Sequence, residues 1–163
     1  MRLRHSHWVW HEPAMPVTWK ERFKEIAKER NQVLWSIDAG GKLIGFAMGS
    51  LGFLGQGFSL NHLVIAPDQW RKGFGFDAAL ALHRYLFDYL DLRRVDAEAY
   101  ADNVAALRIA ERLGYTEYAR GHRVFYKAGA FVDHLRLVIE KATWNERWSA
   151  EREYAPLAAD ATR

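Results

Sequence analysis

The 163-residue sequence contains no cysteine. That excludes disulfide frameworks, thiolate-ligated zinc, iron–sulfur clusters and thiol nucleophiles. Long apolar runs are missing too. The stretch LVIA at 63–66 falls far short of the roughly 20 residues that a membrane span needs. The N-terminus, MRLRHSHWVWHE, lacks the central apolar run of a signal peptide, which points to the cytoplasm. Charge of one sign is scarce, with a net of +3 and basic residues scattered among nearly as many acids. Neither nucleic acid nor a membrane is therefore an expected partner. No repeat or low-complexity linker occurs, and without a G-x-x-x-x-G-K-[ST] phosphate loop a P-loop NTPase is excluded.

What is present is the composition of one globular domain spanning 1–163, with 50% hydrophobic and 26% charged residues. Residues 1–17 read as an irregular leader and 150–163 as a frayed tail. A helix is expected from Thr18, where Thr18 and Glu21 form a capping box. Val33–Asp38 and Leu43–Gly49 read as a hairpin around Gly40-Gly41, and Phe58–Ala66 as a third strand. A helix follows from Gly73 through Leu90, then a strand over Arg94–Tyr100. A second helix is capped by Asp102 or Asn103 and stopped by Gly114. Two strands close the pattern, Thr116–Lys127 and Phe131–Glu140, joined at Ala128-Gly129. This order predicts an α/β fold with a mixed, mostly antiparallel sheet flanked by helices.

The chemistry concentrates in HLVIAPDQWRKGFGFDAALALH, residues 62–83. A buried strand runs into adjacent cations, Arg71 and Lys72, then Gly73-Phe74-Gly75 and a helix start. Glycines admit close approach of an anion to the backbone, and the first helical turn offers unpaired N–H groups at its positive end. That is a phosphate or pyrophosphate cradle. The same glycines match a permissive G-x-G-x-x-A dinucleotide fingerprint with Asp96 beyond it. However, six residues from Pro67 to Lys72 separate strand from glycine, and that fingerprint needs them adjacent.

Taken together, L-x-I-x-P-x-x-x-x-x-G-x-G (Leu63 to Gly75) and N-x-x-A…E-R-L-G-Y (Asn103 to Tyr115) resemble the GNAT superfamily of acyl-CoA-dependent N-acetyltransferases. The likeness is greatest to its Rim-type branch, which acetylates ribosomal-protein N-termini. In that branch the second motif helix is likewise followed by a hairpin with an acidic turn, here matched to Phe131-Val132-Asp133. The resemblance implies acetyl-CoA as cosubstrate. It places Leu63, Val64 and Ile65 on a splayed strand along the pantetheine arm and Arg71, Lys72, Gly73, Phe74 and Gly75 around the pyrophosphate. It sets Asn103 against the pantetheine and Arg108 at the cofactor's outer end. The pattern departs at Trp70, where Arg or Gln is usual. It departs again at Ala106, often Ser in the Rim branch, and at Ala110, often a Tyr general acid. Those alanines also motivate the competing expectation, an acyl-CoA-binding module without catalysis.

The implied reaction is attack by a neutral amine on a thioester, for which a base is expected. Glu98 on the polar side of its strand and His62 are the candidates, with Asn61 ordering a water. Glu117, Tyr118 and His134 are weaker alternatives. Strict alternation puts Ser59, Asn61, Leu63 and Ile65 on one face and His62 on the other. A bulge reverses the facing of everything after it. The acceptor is expected to be a protein or peptide N-terminus, with a small-molecule amine next. His5, His7 and His11 read as polar surface rather than a metal site. Trp8 and Trp10, or Trp144 and Trp148, are expected to pack in a homodimer.

Overall fold

The computed structural model describes residues 24, 28–29, 31–52, 57–127 and 129–148. The helix expected from Thr18, the leader, the tail beyond Trp148 and the tryptophans Trp8 and Trp10 lie outside the described residues.

The described chain forms a six-stranded sheet in the order β1-β2-β3-β4-β6-β5. The strands are β1 (Gln32–Ala39), β2 (Lys42–Leu51), β3 (Gly57–Ile65), β4 (Arg94–Tyr100), β5 (Thr116–Lys127) and β6 (Ala130–Glu140). Every neighbouring pair is antiparallel except β3 and β4, which run parallel. The first hairpin turns on Gly40 and Gly41, both left-handed with φ of 62° and 77°. Such a two-glycine turn matches the twist of the paired strands, and Asp38 Oδ1 accepts the Gly41 N–H at 2.8 Å.

Among the described residues, the helices α1 (Phe74–Arg84), α2 (Val104–Leu113) and α3 (Lys141–Trp148) accompany the sheet. The helix expected through Leu90 ends its α-helical part at Arg84 and finishes in a π-helical turn, Tyr85–Tyr89. There the Leu90 N–H reaches the Tyr85 carbonyl, and the wider turn accommodates consecutive core residues, Leu86 and Phe87, both 0% exposed. The acidic turn expected at Phe131-Val132-Asp133 is also corrected. Asp133 lies inside β6, and the hairpin reverses before Ala130.

The core forms between the sheet and the helices from Phe58, Ala79, Leu86, Phe87, Val95, Ile139 and Trp144. Burying a ring such as Phe58 or Phe87 contributes about 1.5–3 kcal/mol. Trp144 is 1% exposed, stacks on Phe87 at 5.4 Å and donates its indole N–H to Asp88 Oδ1 at 2.9 Å. Trp148 donates to the Leu113 carbonyl at 3.0 Å. The chain's own core therefore accommodates both tryptophans of that pair, and the argument that they need a second copy no longer applies. No helix among the described residues is long and apolar enough to cross a membrane.

Candidate active site

β3 and β4 are hydrogen-bonded only from Gly57 opposite Arg94 to Leu60 opposite Ala97. Beyond that point β3 stays with β2 and β4 with β6, so the two central strands part like the arms of a V. A bulge accompanies the separation. Met48 faces His62 and Gly49 faces Leu60, which leaves Asn61 as an extra residue in β3. An extra residue bends its strand and sharpens the local twist. The opened gap is part of a cavity of about 1210 Å³ lined by Asn61–Ile65, Glu98–Tyr100, the start of α1 and the inner side of α2.

The bulge also changes which side chains share a face. Leu60 and Leu63 both pack on the core that holds Phe58, although they are three positions apart and strict alternation would set them on opposite faces. His62 therefore leaves β3 on the face opposite the helices. Asp96 pairs with Ser59, one residue before Leu60, so Asp96, Glu98 and Tyr100 occupy that same face of the sheet. The alternation expected from the sequence, with Asn61 and Leu63 together and His62 away from the site, does not hold. His62 and Glu98 lie on one face at the mouth of the V.

Backbone direction alternates as well. The Ala66 N–H bonds to the Ile44 carbonyl on β2 at 2.7 Å, so Val64 turns its polar groups to β2, while Leu63 and Ile65 turn theirs into the gap. Any backbone donor for an oxyanion comes from these two rather than from Val64. The Ile65 carbonyl is already engaged by the Trp70 indole N–H at 2.7 Å. Trp70, the departure at the position where Arg or Gln is usual, thus ties the loop to the end of β3.

At the open end of the V, Arg71 and Gly73 adopt left-handed conformations, φ 62° and 89°. This bends the chain so that Gly73 becomes the N-cap of α1. Helix geometry leaves first-turn N–H groups without intrahelical acceptors there. At Gly75 an added Cβ meets Ile109 Cδ1 at 3.3 Å and Ile65 at 3.8 Å, so glycine permits α1, α2 and β3 to converge. Arg71, Gly73, Phe74 and Gly75 line the cavity. Lys72 instead donates to Gln69 Oε1 at 3.0 Å and is outside the lining.

On the α2 side, Asn103 caps the helix, its Oδ1 accepting the Ala106 N–H at 3.2 Å. The cap uses the oxygen alone, and the amide nitrogen is a separate donor. Asn103, Ala106, Arg108 and Ala110 line the cavity.

Glu98 receives partners from β6. Arg136 Nε stands 3.3 Å from Oε1 and His134 Nε2 stands 3.4 Å from Oε2. The His134 ring sits 5.2 Å from Phe125 and 5.7 Å from Tyr100, so two aromatic rings fix its orientation. Sequence reasoning ranked His134 low and did not find Arg136, because cross-strand register alone brings them to Glu98. Glu117 is occupied elsewhere, in a two-point pair with Arg120. Tyr118 is exposed, with Arg94 5.8 Å from its ring.

A further pair went unread in the sequence. His83 is 0% exposed, yet it contributes to the cavity wall. Its Nδ1 lies 2.7 Å from the Ala79 carbonyl and its Nε2 lies 2.6 Å from the Tyr115 hydroxyl. A carbonyl only accepts, so Nδ1 carries the hydrogen and Nε2 accepts from the tyrosine. Burial pushes the imidazole pKa down to about 4, against a smaller upward pull from the Ala79 hydrogen bond. Burial likewise holds the Tyr115 phenol well above its ordinary range. No group of three or more metal-ligating side chains is assembled among the described residues.

A family model for the acetyltransferase (GNAT) domain matches residues 2–116. Among solved structures, the chain resembles mutant forms of the spermidine/spermine N-acetyltransferase SpeG from Vibrio cholerae, with a TM-score of 0.68 and 21% identity over 78% of each chain. It also resembles the spermidine N-acetyltransferase of Vibrio cholerae in complex with CoA and spermine, with a TM-score of 0.68 and 20% identity over 77% of this chain and 75% of that one. At such identities the structures establish the fold. The family match covers most of the chain, and the protein belongs to the GNAT acetyltransferases. It is an N-acetyltransferase with acetyl-CoA as its acyl donor.

Proposed function

We propose that this protein moves the acetyl group of acetyl-CoA to a primary amine, with a protein or peptide N-terminus as the first acceptor class and a small-molecule amine as the second. The observation that carries the reading is the V between β3 and β4, with the Gly73–Gly75 loop at its open end. Pantetheine amides bond to the gap-facing groups of Leu63 and Ile65 and to Asn103. The pyrophosphate lies at the first turn of α1 beside Arg71, and Arg108 serves the outer end. The small-molecule alternative draws support from the polyamine acetyltransferases that share the fold. The peptide reading draws support from the cavity lining, where Glu98 is the one acid among the described residues. An acceptor carrying several cations calls for several acids.

In the reaction the amine nitrogen attacks the thioester carbon, the C–N bond forms and the C–S bond breaks. An ordinary primary amine has a pKa of about 10, so a proton must leave before attack. Glu98 or His62 takes it, directly or through a water held by Asn61, a role that contributes ~10²–10⁴-fold. The Leu63 N–H, the inner of the two gap-facing donors, meets the oxyanion as it develops. With Ala106 and Ala110 at the usual hydroxyl positions, the thiolate leaves unassisted or takes its proton from water. Its pKa of about 8–9 permits this.

The test is direct. Gly73→Asp and Gly75→Asp each introduce a negative charge at the phosphate site, and Gly75→Asp also meets Ile109. Both are expected to abolish CoA binding in calorimetry. Arg71→Ala weakens CoA far more than pantetheine, which lacks the pyrophosphate. Retention of wild-type CoA affinity in either aspartate variant would refute the loop assignment. Turnover of acetyl-CoA against N-terminal peptides and spermidine separates the two acceptor classes.

A further inference from the structure

Trp70 stands where the family pattern has Arg or Gln, and several contacts fix its place. It closes the 3₁₀ turn Pro67–Gln69, its backbone N–H reaching the Pro67 carbonyl at 3.3 Å. Its side chain turns back to the strand, where the indole N–H donates to the Ile65 carbonyl at 2.7 Å. That carbonyl is the outermost gap-facing group of β3, because Ala66 returns its N–H to Ile44 on β2. The ring is therefore tied by its one polar atom to the lip of the V, with Arg71 and the Gly73–Gly75 loop next in the chain. Trp70 is 45% exposed and lines the cavity. With its N–H satisfied inside the protein, the indole presents only ring carbon there. Arg or Gln at the same position would present a charge or an amide.

The order of groups along CoA identifies what reaches this ring. With its pyrophosphate at the first turn of α1 and its thioester in the V, the ligand runs inward past the lip. The first branch point beyond the pyrophosphate is the quaternary carbon of the pantoyl unit, which bears two methyl groups and no polar atom. The amides, which need backbone partners on β3, come after it. An exposed apolar ring and the one apolar branch of the cofactor thus fall at the same step between phosphate site and strand. We propose that Trp70 is a specificity-determining residue for the acyl donor, its ring forming the contact surface for the two methyl groups of the pantetheine arm. The inference rests on the assignment of the V as the CoA site. The tie to Ile65 holds the ring in place before the ligand arrives, so little side-chain freedom is lost on binding.

The experiment needs no acceptor. The full chain is titrated calorimetrically with three ligands: CoA, a CoA analogue in which both methyl groups are replaced by hydrogen, and adenosine 3′-phosphate 5′-diphosphate, the nucleotide half of CoA. The wild type is expected to bind CoA about tenfold more tightly than the demethylated analogue, roughly what two buried methyl groups contribute. Trp70→Ala should bring that ratio to about one and leave binding of the nucleotide half as in the wild type. Trp70→Phe, which keeps a ring without the N–H, should retain most of the preference. A wild-type ratio of one overturns the inference and leaves the CoA site standing, as does a preference that survives Trp70→Ala. Equal weakening of CoA and the nucleotide half in Trp70→Ala also overturns it, because the ring would then serve the base or hold the loop. A preference lost as fully in Trp70→Phe as in Trp70→Ala overturns it by assigning the effect to the N–H. Failure of CoA to bind the wild type overturns the site as well as the inference. If Trp70→Ala does not fold, Trp70→Arg, which installs a residue usual in the family, is held to the same ratio.

Discussion

Glu98 and His62 compete for one role, and the competition is set by a single extra residue. With Asn61 bulged out of the β2–β3 ladder, His62 joins Glu98 on the face opposite the helices. Glu98 is additionally held between Arg136 and His134. Glu98→Gln is expected to lower kcat by up to about 10²- to 10⁴-fold, the range for losing a general base, with CoA affinity unchanged. His134→Gln leaves the carboxylate in place but removes one partner, so a smaller loss is expected. The pH–rate profile assigns the base. An apparent pKa near the ordinary histidine value of about 6.5 that vanishes in His62→Ala places it on His62. If neither Glu98→Gln nor His62→Ala slows turnover, the amine arrives neutral and no side-chain base acts. None of this geometry was legible from residue types. Asn61 carries no mark of a bulge, and alternation read along the chain gave the opposite facing for His62.

At the scale of elements, β5 and β6 show a second irregularity that shapes the same region. Gly121 pairs with His134 and Phe125 with Val132, so three residues, 122–124, stand opposite Asp133. Asp133 pins this bulge. Its Oδ1 accepts the Arg123 N–H at 2.9 Å, while Oδ2 meets His122 at 3.2 Å and Arg120 at 3.3 Å. The Arg123 backbone hydrogen bond, followed by the Arg120 and His122 contacts, holds the Asp133 carboxyl below its usual range. Arg123 itself is left-handed, with φ of 52°, an unfavourable conformation for arginine that the carboxylate stabilises. The bulge aims Phe125 edge-on at Tyr100, 4.9 Å away, and at His134 behind Glu98. Asp133→Ala is therefore expected to raise the acceptor KM several-fold while acetyl-CoA binding is retained, and Asp133→Asn, which keeps an acceptor for Arg123, should restore most of the loss. Equal losses in both variants would show that charge, not the bulge, matters. The contrast with the Gly73–Gly75 loop is instructive. There only glycine serves, because a positive φ and a close helix approach leave marks in the sequence. Asp133 could be noticed as an acid near a hairpin, but its register opposite three residues of β5 is a property of pairing between strands.

Across the whole molecule, the order of strands and helices was readable because each element carries its own period and its own stop signal. Contacts that join distant elements were not readable. His83 and Tyr115 are 32 residues apart, and nothing local to either announces a hydrogen bond between them. This pair couples α1, the segment after α2 and the Trp144 ring, which lies 6.1 Å from His83. It also makes stability depend on pH. The imidazole is neutral in the folded protein with its pKa depressed to about 4, whereas the unfolded chain binds a proton near 6.5. Above pH 6.5 both states are neutral and the full stability is present. As pH falls from 6.5 towards 4, the unfolded state gains a proton that the folded state refuses, and stability declines. The loss is on the order of 2 kcal/mol at pH 5 and about 3 kcal/mol once the folded pKa is passed. Urea denaturation at pH 7 and pH 5 measures it. His83→Gln is expected to be less stable at pH 7, having lost ring packing on Phe87 at 6.2 Å, yet to lose much less between pH 7 and pH 5 than the wild type. Parallel declines in the two proteins would mean that the histidine is charged or solvated in the folded state.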